Sequence, residues 1–319
     1  MMQKNALKAV FEKSLKLTSM ESCLIVTDTL KLSIAQAFYE YAQMITDKVK
    51  LVVIDPAREH GAEPSQNVAE IMLRYNVQLL ITQKSLTHTL ARRQATLKGA
   101  RIATMPSITE DIANRCLDID YEDLKKESNR ICTILKKTRK VKVTTSLGTD
   151  IVFEIGIKTF FGANGGTFDF PGAFGNLPEG EVAFAPTKAD GVFIVDASFP
   201  EIGILDSPIT FKVKNGSVYE ISGKDASVVK KRLDAVGHKA YRVAELGIGL
   251  NPKAKITGCI LEDEKVAGTV HIALGNNLFG GGTNDVPLHL DGVITKPTVY
   301  LDEEKIIEDG NFCLNIIEV

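Results

Sequence analysis

Several common sequence signals are absent from this chain, and each absence narrows its possible functions. The five cysteines are scattered without any Cys-x-x-Cys pair, which favours reduced thiols over a disulfide framework. No run of about 18 apolar residues occurs, so the sequence offers no membrane-spanning segment. Residues 1–8 carry charges where a signal peptide requires an apolar stretch, and we therefore expect a cytoplasmic protein.

Signals for nucleic-acid and nucleotide binding are also missing. The 38 basic and 40 acidic residues give a formal net charge of -2, which argues against nucleic acid as the main partner. No Gly-x-Gly-x-x-Gly follows the first predicted strand, and no Gly-Lys-Ser/Thr loop occurs. We therefore expect neither a nucleic-acid nor a membrane partner, and nucleotide binding has no motif support.

The sequence changes its periodicity near residue 140. Before that point, short apolar runs rich in β-branched residues alternate with amphipathic stretches, which is typical of βαβ units and a parallel sheet. The predicted strands are residues 23–27, 51–54, 77–81 and 101–104. The predicted helices are residues 33–48, 66–75 and 86–97. We predict an α/β domain with a doubly wound parallel sheet over residues 1–140, which ends in a polar connecting helix.

The second half of the chain is richer in strands. Short apolar runs separated by turn residues recur from residue 141 onward, and Lys214-Asn215-Gly216 is a typical hairpin turn. One helix, over residues 224–236, interrupts these strands. The pattern predicts an α+β, mostly antiparallel domain over residues 141–319, and this domain contains all the candidate metal ligands.

The first candidate ligands form a His-x-Asp pair, His289 and Asp291. Side chains at positions i and i+2 of a strand point to the same face, so this pair would project away from Leu288 and Leu290. His271 lies in another short apolar run. Two imidazoles and a carboxylate are costly to bury on apolar strands, and a divalent metal compensates that cost. The alternative is a satisfied buried histidine beside a salt-bridged aspartate.

Two glutamates occupy similar settings, each as a single acid among apolar and glycine residues. Glu181 opens the apolar run 181–185, and Glu245 lies within 241–250. Taken singly, each pattern favours a water-facing strand residue, because unpaired glutamate is almost never fully buried. From these residues alone, the choice between metal ligand and exposed acid stays open.

Segments along essentially the whole chain resemble the thermophilic aminopeptidase family, the aminopeptidase T and S metallopeptidases. The resemblance is carried by residues 58–64, 85–92, 176–186, 245–252, 261–265, 271–275 and 289–291. Its most specific parts are Gly180-Glu181-Val182 and the His-x-Asp motif. Members of that family use two divalent metals to activate water and to remove N-terminal residues from peptides. The resemblance implies a metalloaminopeptidase-like hydrolase that acts on a peptide or small-molecule substrate and forms a homodimer.

The resemblance also implies a ligand set. The family order Glu, Glu, His, His, Asp is matched by Glu181, Glu245, His271, His289 and Asp291. Two ions of zinc, cobalt or manganese per chain are expected, with iron as a further option. Glu181 would be a shared ligand or catalytic base, and Glu264 a second candidate base, although its acidic turn 262–264 is of a kind that usually faces solvent. The chain departs from the family at 275–282, which lacks the family's tyrosine.

Two other functions stay open. A dioxygenase acting on hydroxypyridines is a distant relative of this fold with a two-His, one-carboxylate iron site, which His271, His289 and Asp291 alone could form. Glu181 and Glu245 favour the two-metal hydrolase, because added carboxylates let two cations about 3.5–4 Å apart share a bridging water. The other possibility is a catalytically silent binding protein of the same fold.

Overall fold

The structure is a computed structural model that describes residues 2–156, 159, 161–162, 165–278 and 280–313. In its first part, strands and helices alternate as predicted. The elements are α1 (Lys4–Lys8), β1 (Cys23–Asp28), α2 (Leu32–Gln43), β2 (Val49–Ile54), α3 (Gln66–Met72), β3 (Val77–Ile81), α4 (Leu90–Leu97), β4 (Arg101–Thr104), α5 (Glu110–Cys116) and α6 (Tyr121–Leu135). A π-helix covers Ala9–Ser14.

Strands dominate the remainder of the chain. The elements are β5 (Lys140–Thr144), β6 (Asp150–Glu154), β7 (Phe161–Gly162), β8 (Phe174–Asn176), β9 (Glu181–Phe184), β10 (Lys188–Val195), β11 (Ser198–Phe199), β12 (Gly203–Ile204), β13 (Ile209–Lys214), β14 (Ser217–Ser222), α7 (Ala226–Val236), β15 (Val243–Gly249), α8 (Ile260–Asp263), β16 (Val270–Gly275), β17 (His289–Ile294), β18 (Thr298–Leu301), β19 (Glu304–Glu308) and β20 (Asn311–Phe312). A 3-10 helix covers His238–Tyr241.

The chain folds into two compact units. The first consists of Met1–Lys125 and Asn164–Glu179, and the second of Lys126–Ala163 and Gly180–Val319. The predicted ranges, 1–140 and 141–319, do not include the return of the chain to the first unit. That return depends on β8, a strand of three residues that is too short to show a periodicity in the sequence.

The first unit is built on a five-stranded parallel sheet with the strand order β2-β1-β3-β4-β8. β1 and β3 are buried along their whole length, as is usual for central strands of such sheets. The order reverses between β1 and β3, where ligands of these sheets usually bind. Here the carboxylate of Asp28 already accepts hydrogen bonds from three backbone N–H groups, those of Leu30, Lys31 and Gln83. Asp28 therefore holds the turn after β1.

The second unit contains two antiparallel sheets. Their strand orders are β14-β13-β10-β6-β5-β18-β19-β20 and β12-β11-β17-β16-β15-β9-β7. Large apolar side chains of both sheets and of α7 meet in one core. The predicted fold class, a parallel-sheet α/β part followed by a mostly antiparallel α+β part, is confirmed. Among the described residues, no helix has the length and apolar character that a membrane span requires.

Removing a core ring should destabilise the second unit. Phe193 on β10 stacks on Phe211 of β13 with ring centroids 4.5 Å apart, and both are buried. We expect Phe193→Ala to lower the free energy of unfolding by about 3–5 kcal/mol, because it leaves a cavity. The control, Tyr219→Ala on the 64% exposed ring of β14, should change it by less than about 0.5 kcal/mol. Urea unfolding measures both values, and equal losses would contradict this core.

Candidate metal centre

Four neighbouring strands of the seven-stranded sheet carry the predicted ligands. β9, β15, β16 and β17 lie side by side and contribute, in that order, Glu181, Glu245, His271, and the pair His289 and Asp291. Directly paired residues of antiparallel strands point to the same side. Ala273 on β16 pairs with Glu245 on one side and with Asp291 on the other, so both carboxylates share one face of the sheet.

The two faces of this sheet differ in side-chain size. The face away from the ligands carries large apolar residues of the core, among them Leu246, Ile248, Ile272, Leu274 and Leu290. On the ligand face, most positions paired with or next to the ligands are small, namely Ala183, Gly247, Gly249, Ala273 and Gly275, whereas Val293 pairs with His271. The small residues leave room for imidazole and carboxylate groups above the sheet.

The five side chains approach one another closely. His271 Nε2 lies 3.3 Å from Oε1 of Glu245 and 3.3 Å from Oε2 of Glu181. His289 Nε2 lies 3.2 Å from Oδ1 of Asp291 and 3.7 Å from Oε2 of Glu245. Glu245 therefore contacts both histidines, one with each carboxylate oxygen.

The turn after α8 adds two buried charged residues to the cluster. Glu264, the second predicted base, forms a candidate metal-binding group with His271 and Asp291. Lys265 Nζ lies 2.6 Å from Oε1 of Glu264 and 2.5 Å from Oε1 of Glu181. Burial, opposed by the Lys265 ammonium, raises the pKa of Glu264 to about 7. Lys265 was missed from the sequence, because nothing local distinguishes a buried lysine after an acidic turn from an exposed one.

The acidic turn itself is buried, so the expectation that it faces solvent was wrong. Glu262 and Asp263 are both 0% exposed. Their carboxylates accept hydrogen bonds from three backbone N–H groups, those of Lys255, Thr257 and Gly258. These N–H groups replace the hydrogen bonds that water would donate, so they offset the desolvation cost of burying two acids.

The concentration of carboxylates shifts the protonation of the histidines. Burial lowers the pKa of His271, but the hydrogen bond to Glu245 and the charges of Glu181 and other carboxylates outweigh it and raise this pKa to about 9. Burial also lowers the pKa of His289, whereas Asp291 and Glu245 raise it to about 10. Burial raises the pKa of Asp291, but the charge of His289 lowers it to about 2. The carboxylates thus attract positive charge, and a divalent cation competes with these protons.

The spacing of the donor atoms fits a bound cation. Metal–ligand bonds of about 2.1 Å place neighbouring ligand atoms about 3.0–3.4 Å apart. The contacts of His271 with both glutamates, at 3.3 Å, and of His289 with Asp291, at 3.2 Å, fall in this range. Among the described residues, buried Glu181 Oε2 and Asp291 Oδ1 accept no hydrogen bond of regular geometry and have a histidine Nε2 beside them, at 3.3 and 3.2 Å, which is a costly state for a carboxylate oxygen.

Three overlapping groups of ligand atoms could hold an ion. They are Glu181, Glu245 and His271; Glu245, His289 and Asp291; and Glu264, His271 and Asp291. The structure thus brings together all six residues singled out from the sequence. Their roles as ligands or bases stay predictions.

His289 has a second contact that orients its ring. Its Nδ1 lies 2.7 Å from the carbonyl oxygen of Asn276, so Nδ1–H donates and Nε2 is left toward the carboxylates. Such an outer contact fixes the tautomer of metal-binding histidines. Asn276 belongs to the segment 275–282, which lacks the aminopeptidase tyrosine, and Phe279 of this segment lies outside the described residues.

Fold and site together define a protein with one parallel-sheet unit, one antiparallel unit, and a buried His–carboxylate cluster in the latter. The family model described as NicX, 2,5-dihydroxypyridine 5,6-dioxygenase, matches residues 6–314, and the chain belongs to this family. A 2,5-dihydroxypyridine 5,6-dioxygenase of Pseudomonas putida is 24% identical over 249 residues, which cover 73% of this chain and 70% of that protein. By its family, the chain is an enzyme.

Two solved structures share the fold. The 2,5-dihydroxypyridine dioxygenase of Pseudomonas putida KT2440 superposes with a TM-score of 0.82 at 20% identity, over 97% of this chain and 96% of that chain. AmpT from Thermus thermophilus superposes with a TM-score of 0.70 at 16% identity, over 97% of this chain and 99% of that chain. At these identities the likeness concerns the fold alone.

The assignment to the aminopeptidase T and S family, and with it the predicted peptide hydrolase, was wrong. The family model and the Pseudomonas relative both name a dioxygenase, and the match to AmpT is a match of fold. The physical reason lies in the ligand order. Glu, Glu, His, His, Asp follows the order of strands β9, β15, β16 and β17, so proteins that share these strands can share the order whatever their reaction.

The imidazole of His271 occupies the space above Gly247, so a side chain at position 247 should displace it. A Cβ at position 247 would lie 2.0 Å from His271 Nε2, so we expect Gly247→Ala to displace the imidazole and to cost about 1–3 kcal/mol of unfolding free energy. In a His271→Ala background, the same substitution should cost close to nothing, because the ring is gone. A double-mutant cycle by urea unfolding measures the coupling, and additive effects would contradict this arrangement.

Proposed function

We propose that the enzyme is a mononuclear iron dioxygenase that opens a dihydroxylated aromatic ring, with a hydroxypyridine as the first substrate to test. Membership of the NicX family is the observation that carries this proposal. His271, His289 and Asp291 supply the two imidazoles and one carboxylate that non-haem ferrous oxygenases use. Asp291 and Glu245 each belong to a candidate metal-binding group with each histidine, and we propose Asp291 as the carboxylate ligand because its contact with His289 is the shorter one, 3.2 Å against 3.7 Å.

The residues of this chain would hold and orient the ion. Asn276 keeps Nδ1 of His289 as the donor, so that Nε2 is available as a ligand. Glu245 lies beside both histidines and would hold their rings toward a common point. When bound, iron would supply the redox chemistry by which both atoms of dioxygen enter the ring product, so no external reductant is consumed.

The metal ions and catalytic bases expected from the sequence were those of a peptide hydrolase, and a dioxygenase requires different ones. Zinc, cobalt or manganese in a two-ion centre belonged to the hydrolase, and we now propose one ferrous ion. Glu181 and Glu264 were predicted as bases that activate water for peptide hydrolysis, and we do not propose this role again. Both stay in the proposed centre as charged neighbours of the ligands. The homodimer and the cytoplasmic location stay predictions, and light scattering of the purified protein tests the dimer.

Oxygen consumption tests the reaction directly. We expect protein reconstituted with ferrous iron under nitrogen to take up one dioxygen per 2,5-dihydroxypyridine, with loss of the ring absorbance and without added reductant. The metal-free protein is the control. Iron-loaded protein that consumes no oxygen with a panel of dihydroxylated pyridines and benzenes would sink the proposed reaction.

The ligand role of His289 can be separated from a general effect of losing a histidine. We expect His289→Ala to weaken iron binding by at least about 10–100-fold, since even outer contacts of metal ligands have effects of this size, and to abolish oxygen uptake. His238→Ala removes an exposed histidine of the same unit and should leave both unchanged. Calorimetric titration with ferrous iron and an oxygen electrode measure the two effects, and equal behaviour of the variants would contradict the assignment.

A further inference from the structure

Lys265 is a fully buried lysine within the metal-binding cluster. Its side chain is 0% exposed, although lysine is almost never fully buried unless it is paired. Nζ lies 2.5 Å from Glu181 Oε1 and 2.6 Å from Glu264 Oε1. The ammonium therefore bridges two carboxylates, one from β9 and one from the turn after α8.

The backbone of Lys265 is held on both sides. Its N–H donates to the carbonyl of Glu262 at 2.9 Å, and its own carbonyl accepts from the N–H of Asn251 at 2.8 Å. The carboxylate of Glu262 is in turn held by the backbone N–H of Lys255. The fold therefore fixes the point from which the lysine side chain starts.

The ammonium occupies two carboxylate oxygens that could otherwise bind a second metal ion. The two carboxylate oxygens of Glu181 have different partners. Oε1 contacts Nζ of Lys265, and Oε2 lies 3.3 Å from Nε2 of His271. Glu264 also directs Oε1 to Lys265 while it lies in a group with His271 and Asp291. Because metal–oxygen bonds are about 2.0–2.2 Å long, an ion between these two carboxylate oxygens would have to take the position of the ammonium.

Charge balance leads to the same restriction. With neutral imidazoles, the cluster has three net negative charges, from one lysine and four carboxylates, those of Glu181, Glu245, Glu264 and Asp291. One divalent ion reduces the total to a single negative charge, whereas a second would reverse its sign and place another cation beside the Lys265 ammonium at a largely buried site. Without the ammonium, four negative charges would remain, which two divalent ions balance.

We propose that Lys265 acts as a built-in cation that replaces a second metal ion and restricts the centre to one. It is a positioning residue, because it acts through Glu181 and Glu264. The proposal explains why the additional carboxylates need not create a two-metal site. It rests on the metal centre of the proposed function and does not depend on ring cleavage.

The number of bound ions tests this role without any assay of activity. Wild type and Lys265→Met, a variant of similar length without charge, are saturated with manganese(II), freed of unbound ion and subjected to elemental analysis. We expect one ion per folded chain for wild type and about a twofold increase for Lys265→Met, as in a two-ion site. A wild type that binds two ions, or a variant that stays at one, overturns the proposal.

A matched double variant locates the additional ion. Glu181→Gln combined with Lys265→Met removes a carboxylate together with the ammonium, so the count should return to one. If the double variant still binds two ions, the second ion does not use Glu181 and the proposed exchange is wrong. Should Lys265→Met fail to fold, paramagnetic resonance of wild type in excess manganese(II) decides. An isolated ion supports the proposal, and an exchange-coupled pair overturns it.

The outcomes separate this role from the proposed reaction. One ion in wild type and two in Lys265→Met, with no oxygen uptake by the iron-loaded enzyme, would sink ring cleavage and leave the role of Lys265 standing. Oxygen uptake by a wild type that holds two ions would support the reaction and overturn the role of Lys265. A wild type that binds no ion would overturn both.

Discussion

The stability of the second unit depends on the compensation of negative charge that is buried against an apolar sheet. Three carboxylates and two imidazoles lie on one face of strands whose other face belongs to the hydrophobic core, and Glu264 joins them from the turn after α8. Burying such charges is expensive unless each has a partner, and removing one partner leaves the cost in full. Small residues under the cluster, the ammonium of Lys265 and the raised histidine pKa values all follow from this constraint.

Two kinds of carboxylate in this protein differ in the permanence of their hydrogen-bond donors. Asp28 and Asp263 accept from backbone N–H groups, and so does Asp302, which binds the N–H groups at the start of β5. Such donors are fixed by the chain and cannot leave. The partners of Glu245 and Asp291 are imidazoles, whose ring nitrogens can bind either a proton or a metal ion. A carboxylate in a binding site therefore differs from a structural carboxylate in having a partner that can be exchanged, and burial alone does not distinguish the two.

Local patterns account for the strands and for most of the cluster. The alternation at His289 and Asp291 predicted a shared face, and the apolar runs around His271 and Glu245 predicted their strands. The burial of Lys265 and of the acids before it could not be predicted, because Glu181 of β9 is distant from Lys265 in sequence and the N–H groups of residues 255–258 approach the acids only once the chain has folded. The reaction could not be predicted from ligand order either, since that order follows the order of the strands.

The short strand β8 has a consequence for how the protein is made. It completes the parallel sheet by pairing with β4, which precedes it by about seventy residues, and Glu181 follows only a few residues later. During synthesis the first unit therefore cannot close its sheet until β5 and β6 of the second unit have left the ribosome. Pairing over such a distance is slow to form, so the exposed edge of β4 must avoid other strands meanwhile. Part of the second unit is thus translated before the first unit is complete.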